Sequence, residues 1–407
     1  MNVFLFLKGE FRQSRGIFIG LTLLLTLALA VAVSVVQTER MIKQASIRAA
    51  DQFDILIGAR GSRSALLLGT VYLRNEMLPL VPISALSNLS VRHDDVAWAA
   101  PLAFGDRAGR GPLVGTTRVF VDQGATRALA SGRNFQAPFE AVAGSRSGFS
   151  TGDSFAAGHG VSAVGGHDHK ERFTVVGVLP ETGTPWDRAV LVPIESLWRM
   201  HGLRHEHNRS EVPLEQWLTE DLSKLPAASA LAVKPTSMAG AYRIRQHMLK
   251  TSAAASDGSV VNLMGIFTGE ALIELFSLFS TAAAALKAFS AASVTTSLAA
   301  ALLTGFVLAK LRERNLMLLR TMGAPRRFIL TAVWSSITAA VLFAAVGALL
   351  FGTGLTAIVG KIIAFETGVS MTTTVHVDEL TVLAGVVALG ALFSLIPAFA
   401  LGRKKIA

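Results

Sequence analysis

The chain has 407 residues, 51% of them hydrophobic, and a mean hydropathy of +0.49, too apolar for an ordinary pair of soluble domains. Its formal net charge is +10, but the basic residues that matter flank apolar runs, where they set topology or meet anionic lipid; this excludes a nucleic-acid binder. No cysteine is present, which excludes disulfides, iron–sulfur clusters, thiolate zinc and cysteine nucleophiles.

Residues 1–16 carry Lys8, Arg12 and Arg15. They precede 20 uncharged, mostly apolar positions, 17–36. Such a run spans about 30 Å as a helix, one hydrocarbon thickness. Ala28-Leu29-Ala30 has the form of a signal-peptide cleavage site, but the run exceeds the usual apolar region of about 7–15 residues. Gly16 and Gly20 have the spacing that allows close helix approach.

From 37 to 270 no run is long enough to span, and the segment reads as one α+β domain. Stretches 54–57, 113–121, 173–179, 189–192 and 230–233 read as strands. Stretches 194–201 and 238–250 read as helices, the second N-capped by Ser237. The Gly- and Ser-rich stretch 144–166 reads as a loop. Glu181 to Arg188 is a turn-rich segment between two strands, either a structural turn or the lining of a binding surface.

Six of the nine histidines fall between His159 and His207. His167 and His169, and His201, His205 and His207, have spacings that can ligate zinc or copper, with His159, Asp168 and Glu206 as further ligands. The two groups are separated by two predicted elements, so a polar loop with scattered histidines is the expectation and no metal site is assigned. Nothing assembles a catalytic triad or a carboxylate pair.

The apolar stretch 271–309 is too long for one straight span and is divided by Glu274 and Lys287. A charge at mid-bilayer costs about 2.5–3.5 kcal/mol. The segment therefore reads as a stalk helix, 271–287, leading into a second span, 288–309. A basic segment, 310–327, follows, with six Lys or Arg against the single acid Glu313. A third span reads over 328–351, an outer loop over 352–379, a fourth span over 380–401, and a basic tail over 402–407. Positive charge thus flanks the start of span one, the loop between spans two and three, and the end of span four. By the positive-inside rule both ends lie in the cytoplasm and 37–270 lies outside. The fold class expected is an α-helical membrane protein with four transmembrane helices and one large extracytoplasmic α+β domain.

Within the basic segment, Leu316, Leu319 and Met322 recur at helical spacing before a Gly323-Ala324-Pro325 break. This predicts a short amphipathic helix along the inner surface, Gly323 permitting a tight turn and Pro325 stopping the helix. The run from Arg312, Glu313 and Arg314 through Leu319, Arg320 and Met322 to Pro325 resembles the cytoplasmic segment of ABC-transporter permeases of the MacB/FtsX type, which include the lipoprotein-release permeases. The order of one span, a large outer domain and three further spans is also similar to theirs. Where many members carry Glu-Ile-Gly, this chain has Asn315-Leu316-Met317.

The resemblance implies that Arg312, Glu313, Leu316, Leu319, Arg320, Met322, Gly323, Ala324 and Pro325 couple to an ATPase, with Leu319 and Met322 buried against it. It implies an outer domain with a porter-like part and an inserted subdomain. It also implies a bacterial inner-membrane permease paired with a second permease chain, identical or homologous, and sometimes with a periplasmic adaptor. The outer domain would move by mechanotransmission, exporting or releasing a peptide, lipoprotein, amphiphile or metal-linked substrate. An FtsX-like subunit that signals to an outer partner without transport is the alternative. No P-loop occurs. The chain is therefore expected to be no enzyme and to hold no cofactor, with ATP and magnesium on a separate ATPase.

Overall fold

The computed structural model describes residues 15–90, 93–159, 168–202, 225–311, 318 and 321–402. They divide into two compact units: a helical unit of residues up to Lys43, Phe279–Ile362 and Met371 onward, and a sheet-rich unit of Gln44–Leu278 with Ile363–Ser370.

Four helices are long and apolar enough to cross a membrane. The first runs Arg15–Ala50, the second Thr268–Leu311, the third Arg326–Thr367, and the fourth Val377–Phe393, followed by Leu395–Gly402. At 1.5 Å per residue the first three are about 54, 66 and 63 Å long, roughly twice a hydrocarbon core. The predicted stalk and second span are one unbroken helix.

The expected loop over 352–379 is corrected: helix continues to Thr367, and Lys361 and Glu366 lie on its exposed face. A charged residue ends a hydropathy run, yet Lys and Glu are good helix formers, so the backbone does not register the boundary. The fourth helix, by contrast, breaks at Ser394, because Pro397 cannot donate to the carbonyl four residues back. Near that break Trp334 Nε1 donates to the Ala391 carbonyl, at 2.8 Å.

Small residues pack the helical unit. On the third helix Ala332, Ser336, Ala340, Ala344, Ala348, Gly352, Thr356 and Gly360 recur every fourth residue, and all are buried. A Cβ added at Gly352 would lie 3.0 Å from the Ala30 carbonyl and from Val33, and one at Gly360 would lie 2.9 Å from Met41 Sδ. Thr356 donates to Ser34 across the same seam. Gly16 and Gly20, whose spacing suggested close approach, face nothing within 4 Å.

In the sheet-rich unit strands β1 (Ile55–Ala59), β2 (Val81–Pro82), β3 (Val96–Ala108), β4 (Gly111–Thr116), β5 (Ser131–Gly132), β6 (Glu140–Ala143), β7 (Ser154–His159), β8 (Asp168–Val178), β9 (Val190–Pro193), β10 (Ala227–Ala228), β11 (Ala230–Pro235), β12 (Ser252–Ala254) and β13 (Val260–Phe267) build two lobes. The first lobe is the antiparallel order β12-β13-β1-β11-β3. It is buried on both faces, with strict alternation. Ile55, Ile57, Leu231, Val233 and Leu263 pack against Ala241, Ile244 and Met248 of helix Met238–Lys250. Leu56, Ala230, Ala232, Met264 and Ile266 face the opposite way, toward Leu66, Leu67, Phe53, Phe120 and Trp186. As expected, Ser237 caps that helix, its hydroxyl accepting from Gly240 N–H at 3.0 Å.

The second lobe is a closed barrel, β3-β4-β9-β6-β8-β7 and back to β3, inserted between β3 and β11. Strand β3 serves both lobes: Val96–Leu102 pairs with β11, and Ala103–Ala108 pairs with β4 and β7, across a bulge where Gly105 takes φ +141°. Phe155, Phe173, Val175, Val190 and Val192 fill the barrel. Two expectations are corrected here. Stretch 113–121 is a strand that ends at Thr116 and then a helical turn, Arg118–Val121, which turns Phe120 and Val121 into the core. The Gly- and Ser-rich loop contains β7, whose Phe155 and Ala157 alternate inward.

Candidate functional site

Part of the predicted coupling segment is described. Arg312, Glu313, Leu316, Leu319 and Arg320 lie outside the described residues. Met322 N–H returns to the Leu318 carbonyl at 3.1 Å, one α-helical turn. Gly323 then takes φ +94°, a conformation a side chain disfavours, and the chain reverses. Pro325 lies just past that turn and opens the next helix, its carbonyl accepting from Phe328 N–H at 2.9 Å as the third long helix starts at Arg326. A residue with no N–H to lose suits a helix entrance. Ala324 is buried, whereas Met322 is 83% exposed, leaving a large apolar side chain in reach of another surface.

A group of charged residues that joins the long helices was not foreseen. Arg40, on the first long helix, meets two acids at the start of the fourth: Glu379 at 2.5 Å and Asp378 at 2.9 Å. Glu379 is only 1% exposed at its side chain and also accepts from His376 N–H, closing a capping box. The adjacent Glu39 takes Lys43 at 2.7 Å and Lys287 of the second long helix at 2.6 Å. Charges thus tie the first helix to the second and to the fourth. Lys287, which divides the apolar stretch in the sequence, is half exposed and paired. The partners are 339 and 248 residues apart in sequence, so no local pattern could link them.

The histidines do not converge among the described residues. His167, His205, Glu206 and His207 lie outside them, and His159, Asp168 and His169 are strand residues of β7 and β8. His201 pairs with the buried Asp106 carboxylate at 2.8 Å. Among the described residues no three His, Cys, Asp or Glu side chains group as a metal would require.

The turn-rich segment Glu181 to Arg188 is held from within. The buried Asp187 carboxylate accepts from Thr182 N–H at 2.8 Å, Thr182 Oγ1 at 2.7 Å and Gly183 N–H at 2.8 Å. Its neighbour Trp186 sits in the aromatic core, 5.1 Å from Phe120 and 5.5 Å from Phe53 between ring centroids. Arg146 pairs with Glu181 at the segment's exposed end.

Residues 287–406 match the family model described as FtsX-like permease C-terminal. The match starts at Lys287 and takes in the second span, the basic segment and both later spans. A search among curated proteins finds no match. Over those residues the chain is similar to an FtsX-like permease C-terminal domain, and its four long apolar helices are of a length that can cross a membrane.

Proposed function

We propose that this chain, with an FtsX-like permease domain at its C-terminal end, is the membrane-spanning subunit of an ABC transporter whose ATPase is a separate protein. The chain lies in a bacterial inner membrane with both termini in the cytoplasm and residues 37–270 outside. Two permease chains work with two ATPase subunits, which hold ATP and magnesium. Hydrolysis moves the outer domain mechanically, and the moving domain exports or releases a peptide, lipoprotein or amphiphile. The observation that carries this reading is the family match across the basic segment and the three spans around it. The length of the long helices supports it, since each of the first three is an unbroken rod that outreaches a bilayer.

The coupling segment is where force enters. On this reading Leu319 and Met322 are buried against the ATPase, with Arg320 paired or capping. Leu319→Glu places a carboxylate in that contact. Burying it unpaired costs several kcal/mol, a hundredfold or more in affinity. The expected result is loss of the copurifying ATPase while the outer domain stays folded; full copurification with wild-type ATP turnover would sink the docking role. Topology is tested separately in a chain free of native cysteine. Ser154→Cys should react with a membrane-impermeant thiol reagent in spheroplasts, and Thr321→Cys only after permeabilisation.

A further inference from the structure

The third long helix ends inside the sheet-rich unit: residues Ile363–Ser370 group with that unit. A helix C-terminus leaves carbonyls without partners and carries a partial negative charge. Here those carbonyls are met. Gly368 takes φ +75°, and its N–H returns to the Ala364 carbonyl at 2.9 Å, a left-handed cap. Arg188 then lays its guanidinium across the same end, Nη1 donating to Phe365 O at 3.0 Å and Nη2 to Ala364 O at 3.2 Å. Beyond the cap Val369 is buried, and Ser370 N–H donates to the Gly183 carbonyl at 2.9 Å. Arg48 Nη1 reaches the Ser370 carbonyl at 3.4 Å.

Two glycines permit this approach. A Cβ at Gly368 would lie 3.4 Å from Pro185 Cα and from Arg188, and a Cβ at Gly183 would lie 3.3 Å from Ser370 Cβ. The receiving loop does not need the helix to take its shape. Asp187 ties it to Thr182 and Gly183, and Trp186 roots it in the core.

From this geometry we infer that the loop Gly183–Arg188 clasps the end of the third long helix, and that Arg188 is a positioning residue for energy coupling. The sheet-rich unit is already joined covalently to the first long helix, through Phe53 and β1, and to the second, through β13 and Thr268. The clasp adds a third, non-covalent attachment. Its helix begins at Arg326, directly after the Gly323–Pro325 turn. Displacement of the coupling segment therefore reaches the outer domain along one continuous helix, and Arg188 holds the receiving end. The existence of the clasp is independent of the permease reading; its role in coupling rests on that reading.

The test uses the full chain in lipid nanodiscs, alone and with its ATPase. With no native cysteine, Gly183→Cys/Ser370→Cys should form a disulfide on mild oxidation, since bridged Cβ atoms lie roughly 3.5–4.5 Å apart. Adding Arg188→Ala should slow that cross-link at least tenfold. If the cysteine at the positive-φ position 183 prevents folding, amide exchange of Ser370 decides: protection in the wild type should fall at least tenfold in Arg188→Ala. A folded double variant that does not cross-link, or an unprotected Ser370 amide in the wild type, overturns the clasp.

For coupling, the readout is the ATP-dependent change in amide exchange of the outer-domain strands. Arg188→Ala should abolish it with basal ATP hydrolysis within twofold of wild type. Arg188→Lys should restore part of it, and oxidation of the cysteine pair in the Arg188→Ala background should restore it. An undiminished response in Arg188→Ala, or no rescue by the disulfide, overturns the coupling role. A wild-type chain that recruits no ATPase sinks the permease reading, while the cross-link and exchange results still decide the clasp.

Discussion

Each unit is held together internally by its own mix of side chains. In the sheet-rich unit the interior is Phe53, Trp98, Phe120 and Trp186 in mutual contact, with branched aliphatics on both faces of the first lobe. In the helical unit a row of Ala, Ser, Gly and Thr on the third helix packs beside buried Leu25, Leu29, Val33 and Val341, while other large residues of that helix, such as Phe343, Leu350 and Phe351, are exposed. The difference follows from the solvent each side chain leaves. In water, stability grows with apolar area removed, so large side chains go inside. If the helical unit lies in a membrane, as proposed, its surroundings are as apolar as Leu, so little is gained by hiding Leu from them, and close backbone approach and polar pairing carry more of the packing. The helical unit shows both devices: the small-residue seam, and the ion pairs of Arg40 and Glu39.

Five substitutions test that contrast, from the largest effect to the smallest. Trp186→Ala empties the aromatic core and should destabilise the sheet-rich unit by about 3–5 kcal/mol, read as lost amide protection in the strands. Protection in the four long helices should be little changed. Arg40→Ala leaves the Glu379 carboxylate buried without its cation and should cost the helical unit about 3 kcal/mol in thermal unfolding in detergent. Arg40→Ala/Glu379→Leu should recover most of that loss, because the uncompensated charge is gone. Gly352→Leu overpacks the seam and should cost about 1–3 kcal/mol. Gly16→Leu, in open space, should stay within about 0.5 kcal/mol, and equal effects at the two glycines would refute the seam.

The smallest effect is a surface one. The Arg133 guanidinium beside Glu140, helped by the Gln136 and Ala137 N–H groups, holds the Glu140 carboxyl below the usual carboxylate range. A lowered carboxylate contributes stability that is present above its unfolded value and is lost as pH falls through its folded value. Glu140→Gln should flatten that acid limb of the stability profile and leave the neutral limb nearly parallel to wild type.

What the sequence made legible follows the same division. Apolar runs bracketed by charge located all four long helices, and Ser237 marked its helix start to the residue. Strands 54–57, 189–192 and 230–233 fell within two residues of β1, β9 and β11, because buried strands read as short apolar runs. The barrel did not show, since its closure joins β7 to β3 and β8, and a Gly-rich flank hid β7. The seam was overlooked because a search for Gly pairs finds Gly16 and Gly20, whereas the working row is mostly Ala, Ser and Thr. Arg188 and Arg40 were not legible, because each acts on groups far along the chain.

The seam of the third helix has a geometric corollary. Its notches recur every four residues, about 6 Å along the axis, while the helix itself repeats every 3.6. A row with that pitch does not run parallel to the helix; it winds slowly around it, so the facing helix must cross at an angle to stay in the groove. Such a track also has equivalent resting places. A helix sliding along it leaves one notch and meets the next a fixed step away, with bulkier contacts between, so axial travel comes in discrete increments rather than as a continuous glide.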